Sequence, residues 1–208
     1  MAYPNGQRHE LVLASGSPRR REILGQLGLK FSIVVSGVDE PEPDAQNPEA
    51  YARGLSQQKA EAVAQRLAAQ GNSPFVLGAD TIVVVDGAVL NKPLDTVDAA
   101  RMLRLLSGRR HEVITAVTLR RAGHGPAHGI AVSSKVEFRR LDEDTLQRYA
   151  DSGEGSDKAG SYAVQGLGAG LVRAIEGSYS NVVGLPACET LELLGQAGVF
   201  EAWPWPST

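Results

Sequence analysis

Over 208 residues the chain carries 21 Lys and Arg against 24 Asp and Glu, a net charge of −3, with 42% apolar and 22% charged residues. That length buries a core without staples, and the balanced charge leaves no global basic field to draw nucleic acid or an anionic membrane. One cysteine, Cys188, excludes an internal disulfide framework and suits a reducing cytoplasm. The opening "MAYPNGQRHE" lacks the apolar core of a signal peptide. No apolar run approaches the roughly 18 residues of a membrane helix.

In chain order, residues 11–14 read as a buried strand and 18–28 as a helix with Ile23, Leu24 and Leu27 inward. "FSIVVSGVDEPEPD" predicts a strand over 31–35 that runs into an acidic, Pro-rich loop. Residues 48–70 form a long helical pattern ending at Gly71. "PFVLGADTIVVVDGAVLNKP" reads as a strand, an Asp86-Gly87 hairpin turn and a short return strand. A helix over 96–106 stops at Ser107-Gly108, and strands follow over 112–120 and 130–138. The intervening "RAGHGPAHG" reads as a loop in which His124 and His128 are exposed and idle. A helix over 142–151 precedes a stretch with eight glycines between 153 and 184, and a helix over 186–196 follows. "WPWPST" reads as a frayed end. Early strand–helix alternation followed by clustered strands defines a mixed-sheet α/β protein.

Three features carry chemistry. In "LASGSPRRREIL", Ser17 occupies an N-cap position and Pro18 the first helical position. A helix N-terminus with its free N–H groups suits phosphate, and Arg19 in the first turn can reach such a group bidentately. Consecutive arginines project about 100° apart. Arg20 is therefore at most a helper to Arg19, and Arg21 is solvated. In "VLGADTIVVV", Asp80 shares a strand face with Gly78, Ile82 and Val84. A buried carboxylate must be paired or bind metal. Gly78 leaves open space beside it, whereas Thr81 faces the other way and needs a bulge to meet the same ligand. In the long helix, Lys59 falls in line with Tyr51, Leu55, Val63 and Leu67. It either snorkels to an edge or emerges in a cleft to meet an anion. Lys92 in "LNKP" reads as a surface lysine or a second cleft cation, and Asp39 and Glu40 as a solvated charge run or metal-binding oxygens. Together these suggest a polyphosphate held with a divalent cation. The GxxxxGK[ST] loop, zinc-ligand spacing and the Gly-x-Ser-x-Gly elbow are absent from the sequence.

"LASGSPRRREIL", "KAEAVA", "GADTIVVVDG", "NKP", "LSGRRHEVITAV", "DKAGSYAVQG" and "GSYSNVVGLPACETLELL" resemble, in order, the segments of the Maf family of nucleoside triphosphate pyrophosphatases. The resemblance implies one α/β domain over 11–196, between tails 1–10 and 197–208. That domain is a mixed, twisted sheet with flanking helices, in two lobes around a deep cleft. It implies hydrolysis of a nucleoside triphosphate to the monophosphate and pyrophosphate with Mg²⁺ or Mn²⁺ held by Glu40 or Asp80. It also implies a homodimer, house-cleaning of nucleotide pools and a link to arrest of cell division and septum formation. By resemblance, Asp80 is the proton acceptor, Arg19 a substrate contact, and Thr81 and Gln165 are tied to substrate choice. Ser15, Glu40, Lys59 and Lys92 fall on polar cleft positions. "DKAGSYAVQG" is similar to the branch that acts on dTTP and UTP, with Ser161 and Ala163-Val164 departing from the usual "AGAYGIQG". A purine-selective pyrophosphatase, or a nucleotide sensor of septum formation without turnover, is the alternative. A Gln165 amide offers the donor and acceptor that uracil and thymine match.

Overall fold

The computed structural model describes residues 7–39 and 47–201. Among them, seven strands and six α-helices form a mixed α/β structure. The strands are β1 (Leu11–Leu13), β2 (Ser32–Ile33), β3 (Phe75–Val85), β4 (Ala88–Leu90), β5 (Arg110–Arg121), β6 (His124–Phe138) and β7 (Val172–Glu176). The helices are α1 (Pro18–Gln26), α2 (Pro48–Ala68), α3 (Thr96–Leu106), α4 (Glu143–Asp151), α5 (Tyr179–Val183) and α6 (Ala187–Gln196). The sheet order is β2-β1-β3-β5-β6-β7, with β4 also paired to β3. β1 pairs in parallel with both β2 and β3, while the β3-β5-β6-β7 side and β4 are antiparallel.

Side-chain caps start the helices where short polar residues precede them. Ser17 accepts from the Arg20 N–H, Asn47 from Ala50, Asp95 from Asp98 and Asp142 from Thr145. Pro18 occupies the first turn of α1, as the sequence predicts.

β3 is the spine of the molecule. On one of its faces Leu77 and Ala79 join an apolar cluster with α1 and α6, while Val83 and Val85 join a second cluster with α3 and α4. Thr81 stands between these two cores on the same face. On the opposite face Val76 packs with Ala60, Val63 and Ala64 of α2, and Ile82 and Val84 pack with Ala52. One long strand thus serves two cores, and the cleft opens where it passes from one to the other.

Several expectations are corrected. "RAGHGPAHG" is the tip of the β5–β6 hairpin, turning at Ala122-Gly123, where Gly123 has φ +75°. Backbone pairing continues past the end of the apolar alternation. Pro126 is tolerated because the register shifts there and β7 pairs only from Lys135 onward. His124 and His128 are exposed. The glycine-rich stretch contains β7, α5 and 3₁₀ turns at Ala159–Ser161 and Gly166–Gly170. Residues 7–10 and 197–200, expected in tails, pack on the body: Gln7 bridges Phe200, and Val199 and Phe200 join the core with α6. Glu40, most of the acidic loop and "WPWPST" lie outside the described residues.

Candidate active site

Between Leu77, the last β3 residue paired to β1, and Val83, the first paired to β4, no strand covers this edge of β3 among the described residues. A cleft of about 490 Å³ lies there, lined from the β1–α1 turn, α2, β3, the β4 exit and the glycine-rich loop. That volume suits a small organic ligand.

Asp80 and Lys59 meet on its floor. Asp80 Oδ1 accepts from Lys59 Nζ at 2.6 Å, and the two residues are 5% and 8% exposed. Lys59 therefore does not snorkel to an edge. The open space expected beside Gly78 is filled by α2. A Cβ at Gly78 would fall 2.3 Å from the Ser56 carbonyl oxygen and 2.7 Å from the Ala60 nitrogen. The missing side chain lets the helix backbone lie on the strand, and this close approach carries Lys59 to Asp80. A buried ion pair is a costly way to gain stability, so its place in a cleft points to chemistry.

Thr81 lines the same cleft without a bulge, because the β3–β5 register runs unbroken from Phe75↔Arg121 to Val84↔Glu112. The cleft wraps the uncovered edge of β3, so side chains from both faces reach it. Arg20 Nη2 donates to Thr81 Oγ1 at 3.1 Å, Thr81 and Thr115 hydroxyls lie 2.9 Å apart, and Thr115 donates to the Asn181 carbonyl at 3.0 Å.

Of the three arginines, Arg20 turns furthest into the cleft. Its Nε donates to the Gly184 carbonyl at 2.9 Å and its Nη1 to Ser15 Oγ at 3.1 Å. Arg19 sits at the rim, 3.6 Å from Asp157, and Arg21 is exposed. Angular spacing on a short helix does not say which direction faces the cleft, so the reach of Arg20 is visible only in the folded chain. Lys92 is exposed on the cleft rim, whereas exposed Asp39 is not among the lining residues. Gln165 lines the cleft from the glycine-rich loop. Asp157, Lys158 and Tyr162 also line the cleft and were not singled out from sequence. Their only signal was membership of "DKAGSYAVQG".

Behind Tyr162, its hydroxyl meets His111 Nε2 at 2.7 Å, and both rings stack edge-on against Phe138. Burial pushes the His111 imidazole down to about 4.

Among the described residues no group of three or more His, Cys, Asp or Glu is arranged to hold a metal. Mg²⁺ commonly binds through one or two carboxylates plus substrate phosphates. The buried Asp80 carboxylate in an open cleft fits that pattern, with oxygens of a phosphate ligand completing the shell.

A mixed α/β sheet with a cleft at the uncovered edge of β3, a buried acid–lysine pair within it and Arg19, Arg20, Lys92 and Lys158 among its lining, is of a kind suited to a phosphorylated small molecule. The Maf-like protein family model matches residues 10–197, and the chain belongs to that family. A protein named dTTP/UTP pyrophosphatase from Vibrio vulnificus (strain YJ016) is 50% identical over 186 residues, 89% of this chain and 97% of its own. Proteins of the same name from Hahella chejuensis (strain KCTC 2396) and Anaeromyxobacter dehalogenans (strain 2CP-C) are 48% and 46% identical over 198 residues, covering 94% of this chain and 96% and 98% of theirs. A solved nucleoside-triphosphatase/dITP/XTP pyrophosphatase from Mycobacterium abscessus aligns over 90% of this chain and 96% of its own at TM-score 0.43 and 14% identity, too loosely to carry an argument.

Proposed function

We propose that this chain hydrolyses dTTP and UTP to the nucleoside monophosphate and pyrophosphate. The observation that carries the reading is the buried Lys59–Asp80 pair on the floor of a cationic cleft whose lining includes Gln165. The names of relatives at 46–50% identity over most of the chain support it.

Asp80 is the general base that orients and deprotonates a water for attack at the α-phosphorus, and pyrophosphate is the leaving group. Lys59 holds the Asp80 carboxylate at one place and offsets charge on the phosphates. Arg19 and Lys92 at the rim bind the triphosphate, while Arg20 and Ser15 fix the α1 turn beneath it. The Gln165 amide pairs with the N3–H and a ring carbonyl of uracil or thymine, and Thr81 borders the same pocket. Asp80, with Glu40 as the second expected ligand, would hold Mg²⁺ or Mn²⁺, which when bound would neutralise phosphate charge. Action on cytoplasmic nucleotide pools belongs to the same reading. The homodimer and the link to cell-division arrest and septum formation rest on the family resemblance alone.

The test is pyrophosphate release by the purified chain with Mg²⁺ and a panel of dTTP, UTP, CTP, 7-methyl-GTP and inosine triphosphate. The expected result is turnover led by dTTP and UTP. Preference for a purine overturns the branch assignment, and binding without turnover identifies a sensor.

A further inference from the structure

The loop that carries Gln165 is held from behind by two side chains. Glu154 Oε1 accepts from the Leu167 N–H at 2.9 Å. Glu154 Oε2 accepts from the Gly168 N–H and from the Tyr149 hydroxyl, both at 2.8 Å. The Tyr149 oxygen in turn accepts from the Ala163 N–H at 3.0 Å. Backbone amides two residues before Gln165 and two and three residues after it thus end on one carboxylate–phenol pair.

The glycines of the loop permit this seat. Gly166 has φ +62°, and a Cβ there would fall 2.2 Å from Glu154 Oε1. At Gly168 a Cβ would fall 2.0 Å from the Ala163 carbonyl oxygen and 2.8 Å from the Tyr149 hydroxyl. Burial alone would raise the Glu154 carboxyl, but the Tyr149 hydroxyl, the two amides and the Lys158 charge outweigh it and leave it below its ordinary value. The carboxylate is therefore ionised and accepts all three bonds. Gln165 itself is exposed toward the cleft, and among the described residues no hydrogen bond ties its side-chain amide. Where it starts from is set by its backbone.

We propose that Glu154 and Tyr149 are positioning residues for base selection, which hold the 163–168 loop so that the Gln165 amide meets the base at one place and one angle. This rests on the reading that Gln165 reads the pyrimidine edge. Displacements of about 1 Å at a recognition group are enough to change rates by up to 10²-fold. The Glu154 and Tyr149 side chains bond to the loop amides and to each other, and Lys158 of the cleft lining meets Glu154 through its backbone carbonyl, which Glu154→Gln retains, so the loss falls on discrimination between bases.

The experiment is a double-mutant cycle on kcat/KM for UTP and CTP in the wild type, Glu154→Gln, Gln165→Ala and the double variant. Glu154→Gln keeps the shape but sets an NH₂ donor against an N–H or O–H donor. The expected result is a fall in the UTP/CTP ratio of about fivefold in the wild-type background and no further fall in the Gln165→Ala background. Should Glu154→Gln fail to fold, Tyr149→Phe removes one hydroxyl and carries the same cycle. Equal losses on both substrates, or an undiminished effect in the Gln165→Ala background, overturn the positioning role while leaving base reading by Gln165 intact. An unchanged ratio in Gln165→Ala itself overturns base reading, and the positioning proposal with it.

Discussion

Asp80 and Lys59 stand on a strand and a helix that bond to their own neighbours, whereas Gln165 stands on a loop whose flanking amides bond to the side chains of Glu154 and Tyr149. The first wall is fixed by backbone packing, with α2 pressed onto β3 at Gly78. The second is fixed by a few replaceable polar groups and by the His111–Tyr162 bond that ties its root to β5. A wall built on regular elements keeps reacting groups in register, and a wall built on a loop can change its choice of base without disturbing them.

The largest effect is expected at the first wall. Asp80→Asn keeps the shape and removes the proposed base, so kcat is expected to fall by roughly 10²–10⁴ with dTTP and UTP alike. Near-full activity in a steady-state assay would place the chemistry on another carboxylate and dissolve the contrast between the walls.

Acid should act on the root of the second wall. His111 is held neutral, at about 4 against 6.5 for the free group. The unfolded chain therefore binds a proton below pH 6.5 that the folded chain refuses. Stability from this residue is present above pH 6.5 and is lost as pH falls toward about 4, by roughly 3 kcal/mol. Denaturant melts of the wild type and His111→Gln across that window measure it, and the variant's profile should be flatter.

Removing charge from Lys59 on the first wall, or from Arg19 at the rim, should be blind to the base. Arg19→Ala and Lys59→Met are each expected to lower kcat/KM by about 1.5–3 kcal/mol, equally for dTTP, UTP and CTP. A change in the ratio among them would mean that the walls are coupled. The smallest expected effect is the most selective. Gln165→Glu removes the amide donor and sets a carboxylate against the ring carbonyl of uracil, while the amino group of cytosine can still donate to it. The UTP/CTP ratio of kcat/KM should drop by about tenfold, or roughly 1.4 kcal/mol. Equal losses on both would make Gln165 a shaper of the cleft rather than a reader of the base.

Much of the frame is local and was legible for that reason. Ser17 and Pro18 start α1 because a capping oxygen and a missing N–H suit that position in any context. The β-branched run after Asp80 made β3 readable, and the four-residue spacing in α2 put Lys59 on the buried face before any partner was visible. β7 and α5 escaped notice because they are five residues each and lie between glycines, too short for a periodic pattern; pairing with β6 orders β7, and the Ser178 cap starts α5. The hairpin tip escaped for a related reason, since backbone hydrogen bonds extend a ladder beyond the side-chain pattern that announces it.

Sequence by itself determined the class of fold, the buried acid, the lysine on an apolar stripe and the basic helix start, since each follows from periodicity, capping or the cost of burying charge. Tertiary structure decided which of these meet. Gly78 turned out to be the seat of a helix rather than an empty space, because the α2 backbone gains packing by lying directly on the strand. Thr81 joined Asp80 in one cleft without a bulge, because β1 and β4 leave the edge of β3 uncovered between them. Arg20 came to bond Gly184 and Thr81, and Glu154 came to hold the Gln165 loop, because both depend on contacts between segments far apart in the chain. Such contacts are fixed by the way the two cores share one strand, and no local pattern of residues encodes that sharing.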